Sequence, residues 1–205
     1  MAPATSSYRF PIILFAFVVG VGLWICNPFN TSLNYPSAAM SDGQKHQNAL
    51  AQVAISLKQT ATSPPAISVT VTNNYDTVMT LLNWNSPLDP AAVALGVFSF
   101  TPEGASAPLD IPTIAFRRVM PPPPETLITL QPGESTTKEF TFEDPAVPVS
   151  ELGKKAKLQC SGDWASAWPG YTAAELTPET LDKLQYGDQA KSGPFSSEAI
   201  ELVIG

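Results

Sequence analysis

The stretch at residues 66–74 reads AISVTVTNN and predicts a β-strand that is buried on one face. Its apolar residues Ile67, Val69 and Val71 alternate strictly with serine and threonine. Because successive side chains of a strand point to opposite faces, this pattern places one set in a core and the other in water. The two asparagines that end the stretch favour the backbone conformations of a tight turn.

The same alternation recurs along the chain, separated by turn signals such as the proline–glycine pair at 132–133. Further strands are predicted at 52–60, 77–84, 96–101, 111–117, 126–130, 136–142, 155–161 and 198–204. Turn signals at intervals of roughly ten residues are typical of β-sandwiches. The sequence therefore predicts an all-β fold, an immunoglobulin-like antiparallel β-sandwich of about eight strands.

Two short helices are predicted within this sandwich. The stretch 177–185 begins with Thr177, which can cap a helix, and Pro178, which suits the first helical turn. A weaker helical pattern covers 149–155. Pro112 restricts the predicted strand at 111–117 to a sheet edge or a strand start, because proline donates no ladder hydrogen bond.

The composition excludes several classes of protein. Of the 205 residues, 44% are hydrophobic and only 14% are charged, which argues against wholesale disorder. The 21 prolines argue against a helical bundle, since each interior proline costs about 3 kcal/mol. The formal net charge of −7 would repel phosphate backbones, so no nucleic-acid partner is expected.

An uncharged run occupies residues 10–26 and predicts an apolar amino-terminal helix. Its length lies between that of a signal-peptide core and that of a membrane span, so two alternatives stay open. It is either an uncleaved single-pass anchor, which is slightly preferred because the candidate cleavage sites lie too far beyond the run or inside it, or a cleaved signal peptide. In both cases Arg9 precedes the run, which places the chain from about Asn27 onward outside the cytoplasm.

The predicted organisation is therefore a signal-anchor or signal peptide at 1–26, a polar linker at 27–47 and a sandwich domain at 48–205. We expect a protein of the secretory pathway, either membrane-anchored with an extracytoplasmic domain or secreted. It contacts the membrane only through residues 10–26, if these are retained. The sequon Asn30-Thr31-Ser32 predicts glycosylation at Asn30, although a retained anchor would hold this residue too close to the bilayer.

The sequence contains few residues that could form a catalytic site. His46 is the single histidine and lies in a polar stretch without partners, so no catalytic triad or histidine metal site can form. The acidic residues at 134, 139, 143 and 144 are interpreted as a solvated face. Cys160 is interpreted as a small buried hydrophobe, with an intermolecular disulfide as the alternative. Pairing with Cys26 is left open. We expect no enzyme, no catalytic residue, no metal and no cofactor.

Three aromatic residues are the candidate binding residues. Trp164, Trp168 and Tyr171 lie in GDWASAWPGY at 162–171, a stretch without regular period that is interpreted as a loop. Such rings can form a binding patch for a sugar or a protein. The alternative is a plug that covers one end of the sandwich, and it is the preferred interpretation.

Two further motifs favour structural roles. Arg117-Arg118 is a dibasic pair of the kind that secretory processing proteases cut. Because cleavage there would split the domain, a surface pair is preferred. The four prolines at 121–124 are interpreted as a rigid connector.

Several short stretches together resemble a known family. These stretches are VTVTNN at 69–74, LLNWNSPLD at 81–89, FRR at 116–118, LQPGES at 130–135, FTF at 140–142, CSGDW at 160–164 and GPFSSEAIELVI at 193–204. Their order resembles the amino-terminal β-sandwich region of fungal deuterolysin-type zinc endopeptidases and related stand-alone fungal secreted proteins. The family's His-Glu-x-x-His zinc motif is absent from this sequence, so the protease activity does not carry over. The resemblance implies a propeptide-like or free-standing module.

The predicted function is a non-catalytic extracytoplasmic module with a binding or accessory role. Its partner, a protein or a cell surface, is not identified by the sequence. The alternatives are an enzyme of fungal secondary metabolism with an unrecognised site, and a structural protein of the cell surface.

Overall fold

A computed structural model describes residues 49–205 and shows an almost wholly β architecture. The described residues form nine strands: β1 (Val53–Thr62), β2 (Pro65–Asn73), β3 (Met79–Leu82), β4 (Phe98–Pro102), β5 (Leu127–Leu130), β6 (Ser135–Thr141), β7 (Lys155–Pro169), β8 (Lys191–Ser196) and β9 (Ile200–Val203). One short α-helix, α1, covers Pro178–Lys183. Within residues 49–205 no helix combines the length and the apolar character needed to cross a bilayer.

The strands form two antiparallel sheets. The smaller sheet has three strands in the order β1-β2-β6. The larger sheet has six strands and is built around the 15-residue strand β7. The first half of β7 pairs with β4 and β9, and its second half pairs with β8 and β3, which in turn pairs with β5. The predicted immunoglobulin-like antiparallel sandwich is confirmed.

The alternation of β2 is the clearest link between sequence and core. Ile67, Val69 and Val71 are all 0% exposed, whereas the intervening serine and threonines lie on the other face. Phe98 of β4 meets Phe140 of β6 edge to face, with the ring centroids 5.0 Å apart. This arrangement is the favoured geometry for aromatic pairs and joins the two sheets across the core.

Helix α1 begins as the sequence predicts. The Thr177 hydroxyl accepts a hydrogen bond from the Thr180 amide at 3.2 Å, and Pro178 occupies the first turn. The second predicted helix, at 149–155, is only a 3₁₀ turn over Val149–Leu152. It ends at Gly153, whose φ of 71° belongs to the left-handed region that glycine adopts readily.

Two sequence predictions about strands are wrong. Residues 111–117 form no strand but belong to a long connection between β4 and β5, which we call the strap (residues 103–123). Residues 162–169 do not form a loop, because β7 continues through them to Pro169. Strand β8, at Lys191–Ser196, was not predicted from the sequence. The predicted apolar helix, the linker boundaries, Cys26, Asn30 and His46 lie outside the described residues.

Candidate functional site

The two tryptophans of the candidate binding patch are buried. Trp164 and Trp168 are both 0% exposed, because their side chains point into the core from β7. Trp164 packs against Phe195 in the main core, with the ring centroids 5.0 Å apart. Both indole rings are enclosed by the protein, and binding by these residues stays a prediction.

Trp168 and Tyr171 share a second, smaller hydrophobic cluster, to which Trp164 does not belong. Trp168 is buried in this cluster, and Tyr171 is half-buried against it. The other buried members are Leu82, Trp84, Leu176, Leu181 and Ala190. The cluster fits the plug interpretation, since Leu181 of α1 packs in it together with residues of the larger sheet.

The exposed apolar surface lies elsewhere, on the strap. Four large hydrophobic side chains there are exposed, and we call them the strap patch: Ile114, Phe116, Val119 and Met120. They account for four of the six exposed large hydrophobic residues in the described part of the chain. Single exposed residues of this kind are normal on a surface. These four fall within seven consecutive positions.

Arg118 fixes the strap to the body of the domain. Its Nη2 donates to Oδ2 of Asp89, a carboxylate that is only 1% exposed. The guanidinium lies 5.6 Å from the centroid of the Trp84 ring and 5.3 Å from that of the Phe116 ring. Guanidinium groups at such distances are attracted to aromatic faces. The Asp89 carboxylate and the Trp84 ring therefore attach the strap to the body of the domain at Arg118.

Asp89 in turn belongs to a turn that is tightly hydrogen-bonded. Its carboxylate accepts the backbone amides of Asn85 at 2.8 Å and Ala91 at 2.9 Å, in addition to Arg118. Asn85 adopts a φ of 55°, a conformation that asparagine tolerates better than most residues. The buried Asp89 carboxylate thus accepts hydrogen bonds from two backbone amides of the turn and from the Arg118 guanidinium.

A groove of about 470 Å³ adjoins the strap patch. Its polar lining residues are Asn85, Ser161 and Asp163, and its apolar ones include Leu95, Ile114 and Phe116. Ile114 and Phe116 thus belong to both the groove and the strap patch. A concavity of this size, with a mixed and mainly polar lining, has room for a small ligand or a protruding side chain.

A second concavity of about 410 Å³ is a weaker candidate. No aromatic residue lines it. Its ion pair joins Lys155 and Glu201 at 2.9 Å between two exposed side chains, and pairs of this kind contribute little free energy.

The described residues offer no grouping of three or more histidine, cysteine or acidic side chains that could hold a metal ion. The acidic residues at 134, 139, 143 and 144 are all exposed. Glu134 accepts the backbone amide of Gln131 at 2.7 Å and so stabilises the turn before β6. These carboxylates therefore have surface and turn positions.

Comparison with known proteins identifies the family. Residues 52–204 match the sequence profile of an immunoglobulin-like domain. The chain belongs to this family. It is also 33% identical over 144 residues to a protein of Arthroderma benhamiae described as an uncharacterized secreted protein, a match that covers 69% of this chain and 70% of the relative. Neither match concerns a deuterolysin-type endopeptidase, so that resemblance stays a prediction. In this immunoglobulin-like domain the strap is the long connection that carries the candidate site.

Cys160 lies in the main core and forms no disulfide within residues 49–205. Burial raises the pKa of its thiol from 9.0 to about 12, which keeps the thiol protonated and unreactive. Between these two values the unfolded chain loses the thiol proton while the folded protein keeps it. The folded state is therefore destabilised as the pH rises, by about 1.4 kcal/mol per pH unit.

We expect the free energy of unfolding of the wild type to fall more steeply than that of Cys160→Ala between about pH 9 and about pH 11. Urea unfolding of both proteins at several pH values measures this difference. The alanine variant corrects for the lysines and tyrosines that titrate in the same range. Parallel curves for the two proteins would show that the buried thiol does not titrate as inferred.

Proposed function

We propose that this protein is a non-catalytic binding module that acts outside the cytoplasm and contacts a partner protein through the strap. The observation that carries the proposal is the strap patch, four exposed apolar side chains on a connection that Arg118 attaches to the domain. Secretion is supported by the relative from Arthroderma benhamiae, which is described as a secreted protein.

 The predicted position of the domain beyond an apolar amino-terminal run is consistent with that location.

The energetics favour association at the strap patch. Burying one large apolar side chain contributes about 1.5–3 kcal/mol, so two or three of these residues are enough to dominate a specific interface. Because the Asp89–Arg118 contact attaches the strap at one point, binding loses less conformational entropy than it would with an unattached strap. The neighbouring groove offers a place for a protruding side chain of the partner.

The exposed cation of Arg117 lies beside the strap patch and pairs with no acidic side chain among the described residues. A partner surface with an apolar centre and an acidic rim would complement this arrangement. An accessory role toward a protease, which the deuterolysin resemblance implies, is one instance of such a partnership.

A site-specific photo-crosslinker tests the proposal. We expect a crosslinker at Val119, which is 76% exposed, to capture a discrete partner from secreted and cell-surface proteins. The same group at Tyr186, which is 85% exposed on a different segment, is the matched control and should capture none. Equal capture at both positions, or capture at neither, would contradict the proposal.

A double variant gives the size of the effect. We expect Val119→Ser with Met120→Ser to weaken binding of the captured partner by at least about tenfold, which corresponds to about 1.4 kcal/mol. Tyr186→Ser should leave the affinity unchanged. Because both substitutions replace exposed side chains, the thermal unfolding midpoint should change little, and this measurement separates lost binding from lost folding.

A further inference from the structure

The chain contains two dibasic pairs, and their backbones differ. Lys154-Lys155 lies at the start of β7, where the Lys154 carbonyl accepts the Ile204 amide at 2.9 Å and the Lys155 carbonyl accepts the Glu103 amide at 3.0 Å. Arg117-Arg118 lies on the strap. Residues 115–122 make no backbone hydrogen bond to any other residue between 49 and 205.

We propose that the peptide bond between Arg118 and Val119 is a processing site for a dibasic-specific serine endoprotease of the secretory pathway. Such an enzyme hydrolyses the bond with water, which leaves a carboxylate on Arg118 and a new ammonium group on Val119. Endoproteases bind several substrate residues in an extended form, so they cut exposed segments that can leave the body of the protein. This inference rests on the proposed location outside the cytoplasm but not on the proposed binding function.

The exposure of the strap supports access by a protease. Residues 112–117 are all exposed, as are Val119 and Met120 on the other side of the scissile bond. Arg117 has no hydrogen bond or ion pair with another described residue, so its side chain is free to enter the pocket next to the cleavage site. Lys154-Lys155 lacks these features because its backbone is fixed within the sheet.

Cleavage requires that the Arg118 side chain first leaves its contacts with the domain. This side chain is only about a quarter exposed and is bound to Asp89, so it must leave the carboxylate and the two aromatic rings before a protease can accept it. When opening and closing are fast compared with cleavage, the rate of cutting follows the population of the open form. The Asp89–Arg118 contact therefore sets how fast the site is processed.

Cleavage need not unfold the domain. A cut after Arg118 would leave β1 to β4 on one fragment and β5 to β9 on the other. Four strand pairs join these fragments, namely β2 with β6, β3 with β5, β3 with β7 and β4 with β7. The fragments should stay associated as a two-chain sandwich with a new amino terminus at Val119.

The test is limited digestion of the native protein with a purified dibasic-specific endoprotease. We expect one cut, after Arg118, by intact mass and amino-terminal sequencing, and fragments that co-elute in gel filtration until they are denatured. Resistance to the enzyme, or earlier cleavage after Lys155, would overturn the proposal. Separation of the fragments under native conditions would overturn the two-chain product.

Two variants sharpen the result. Arg117→Gln should stop cleavage by the dibasic-specific enzyme, while trypsin should still cut after Arg118 at the rate seen in the wild type. Asp89→Asn should speed cleavage after Arg118 at least about tenfold, because it weakens the ion pair. If cleavage after Lys155 accelerates by the same factor, the variant acts through global unfolding and the proposed control by Asp89 is wrong.

Discussion

Replacing Trp164 with alanine is expected to lower the free energy of unfolding by about 3–5 kcal/mol. The indole is 0% exposed and packs against Phe195 in the main core, so its removal leaves a large cavity among residues that cannot all move to fill it. Urea unfolding followed by circular dichroism measures the change. Such a loss is a large fraction of the stability of an ordinary domain, about 5–15 kcal/mol.

Trp164→Phe is the matched control for this experiment. Phenylalanine keeps most of the packing and removes the indole N–H, which has no hydrogen-bond partner among the described residues. We therefore expect a much smaller loss of stability than for alanine. Tyr186→Ala, at an exposed position, should change the free energy of unfolding by less than about 0.5 kcal/mol. A loss below about 1 kcal/mol for Trp164→Ala would contradict the burial of this ring.

The result also separates the two interpretations of the aromatic stretch. If Trp164 is a structural residue of the main core, its loss weakens partner capture only to the extent that it unfolds the protein. A variant that stays folded, such as Trp164→Phe, should bind a partner of the strap as well as the wild type does. Impaired binding by a fully folded variant would show that residues 162–171 contribute to the binding site.

Strands with regular alternation of apolar and polar residues were predictable from the sequence. Strands in which this alternation is interrupted were not. Residues 67–71 alternate without a break, and β2 lies where the pattern predicts it. In the second half of β7 the register shifts between Trp164 and Ala167, so the period of two fails and the sequence looks like a loop. Strand β8 contains Gly193 and Pro194, which weaken any strand signal.

The candidate site was harder to predict because it depends on contacts between distant parts of the chain. Asp89 and Arg118 are 29 positions apart, and no local pattern links a carboxylate in a turn to a guanidinium on the strap. The sequence shows the dibasic pair, but it does not show that Arg118 contacts Asp89 and Trp84. The four residues of the strap patch also have no period, so only their observed exposure identifies them.

Replacing Asp89 with alanine is expected to lower the free energy of unfolding by about 3 kcal/mol, the lower end of the cost of breaking a buried ion pair. The lower end applies because Arg118 is partly exposed and can regain water. The Asn85 and Ala91 amides lose their acceptor as well, and Arg118→Ala should cost a similar amount by leaving the Asp89 carboxylate buried without its cation.

The double variant Asp89→Ala with Arg118→Ala decides whether the two residues act as a unit. We expect its loss of stability to be smaller than the sum of the two single losses by about 1–3 kcal/mol, since either single change already breaks the contact. Arg117→Ala is the matched control on the same strap, and its effect should stay within about 0.5 kcal/mol. Strictly additive losses for Asp89 and Arg118 would mean that the ion pair does not hold the strap. In that case the strap patch would lose its fixed frame, and the argument for binding at low entropic cost would fail with it.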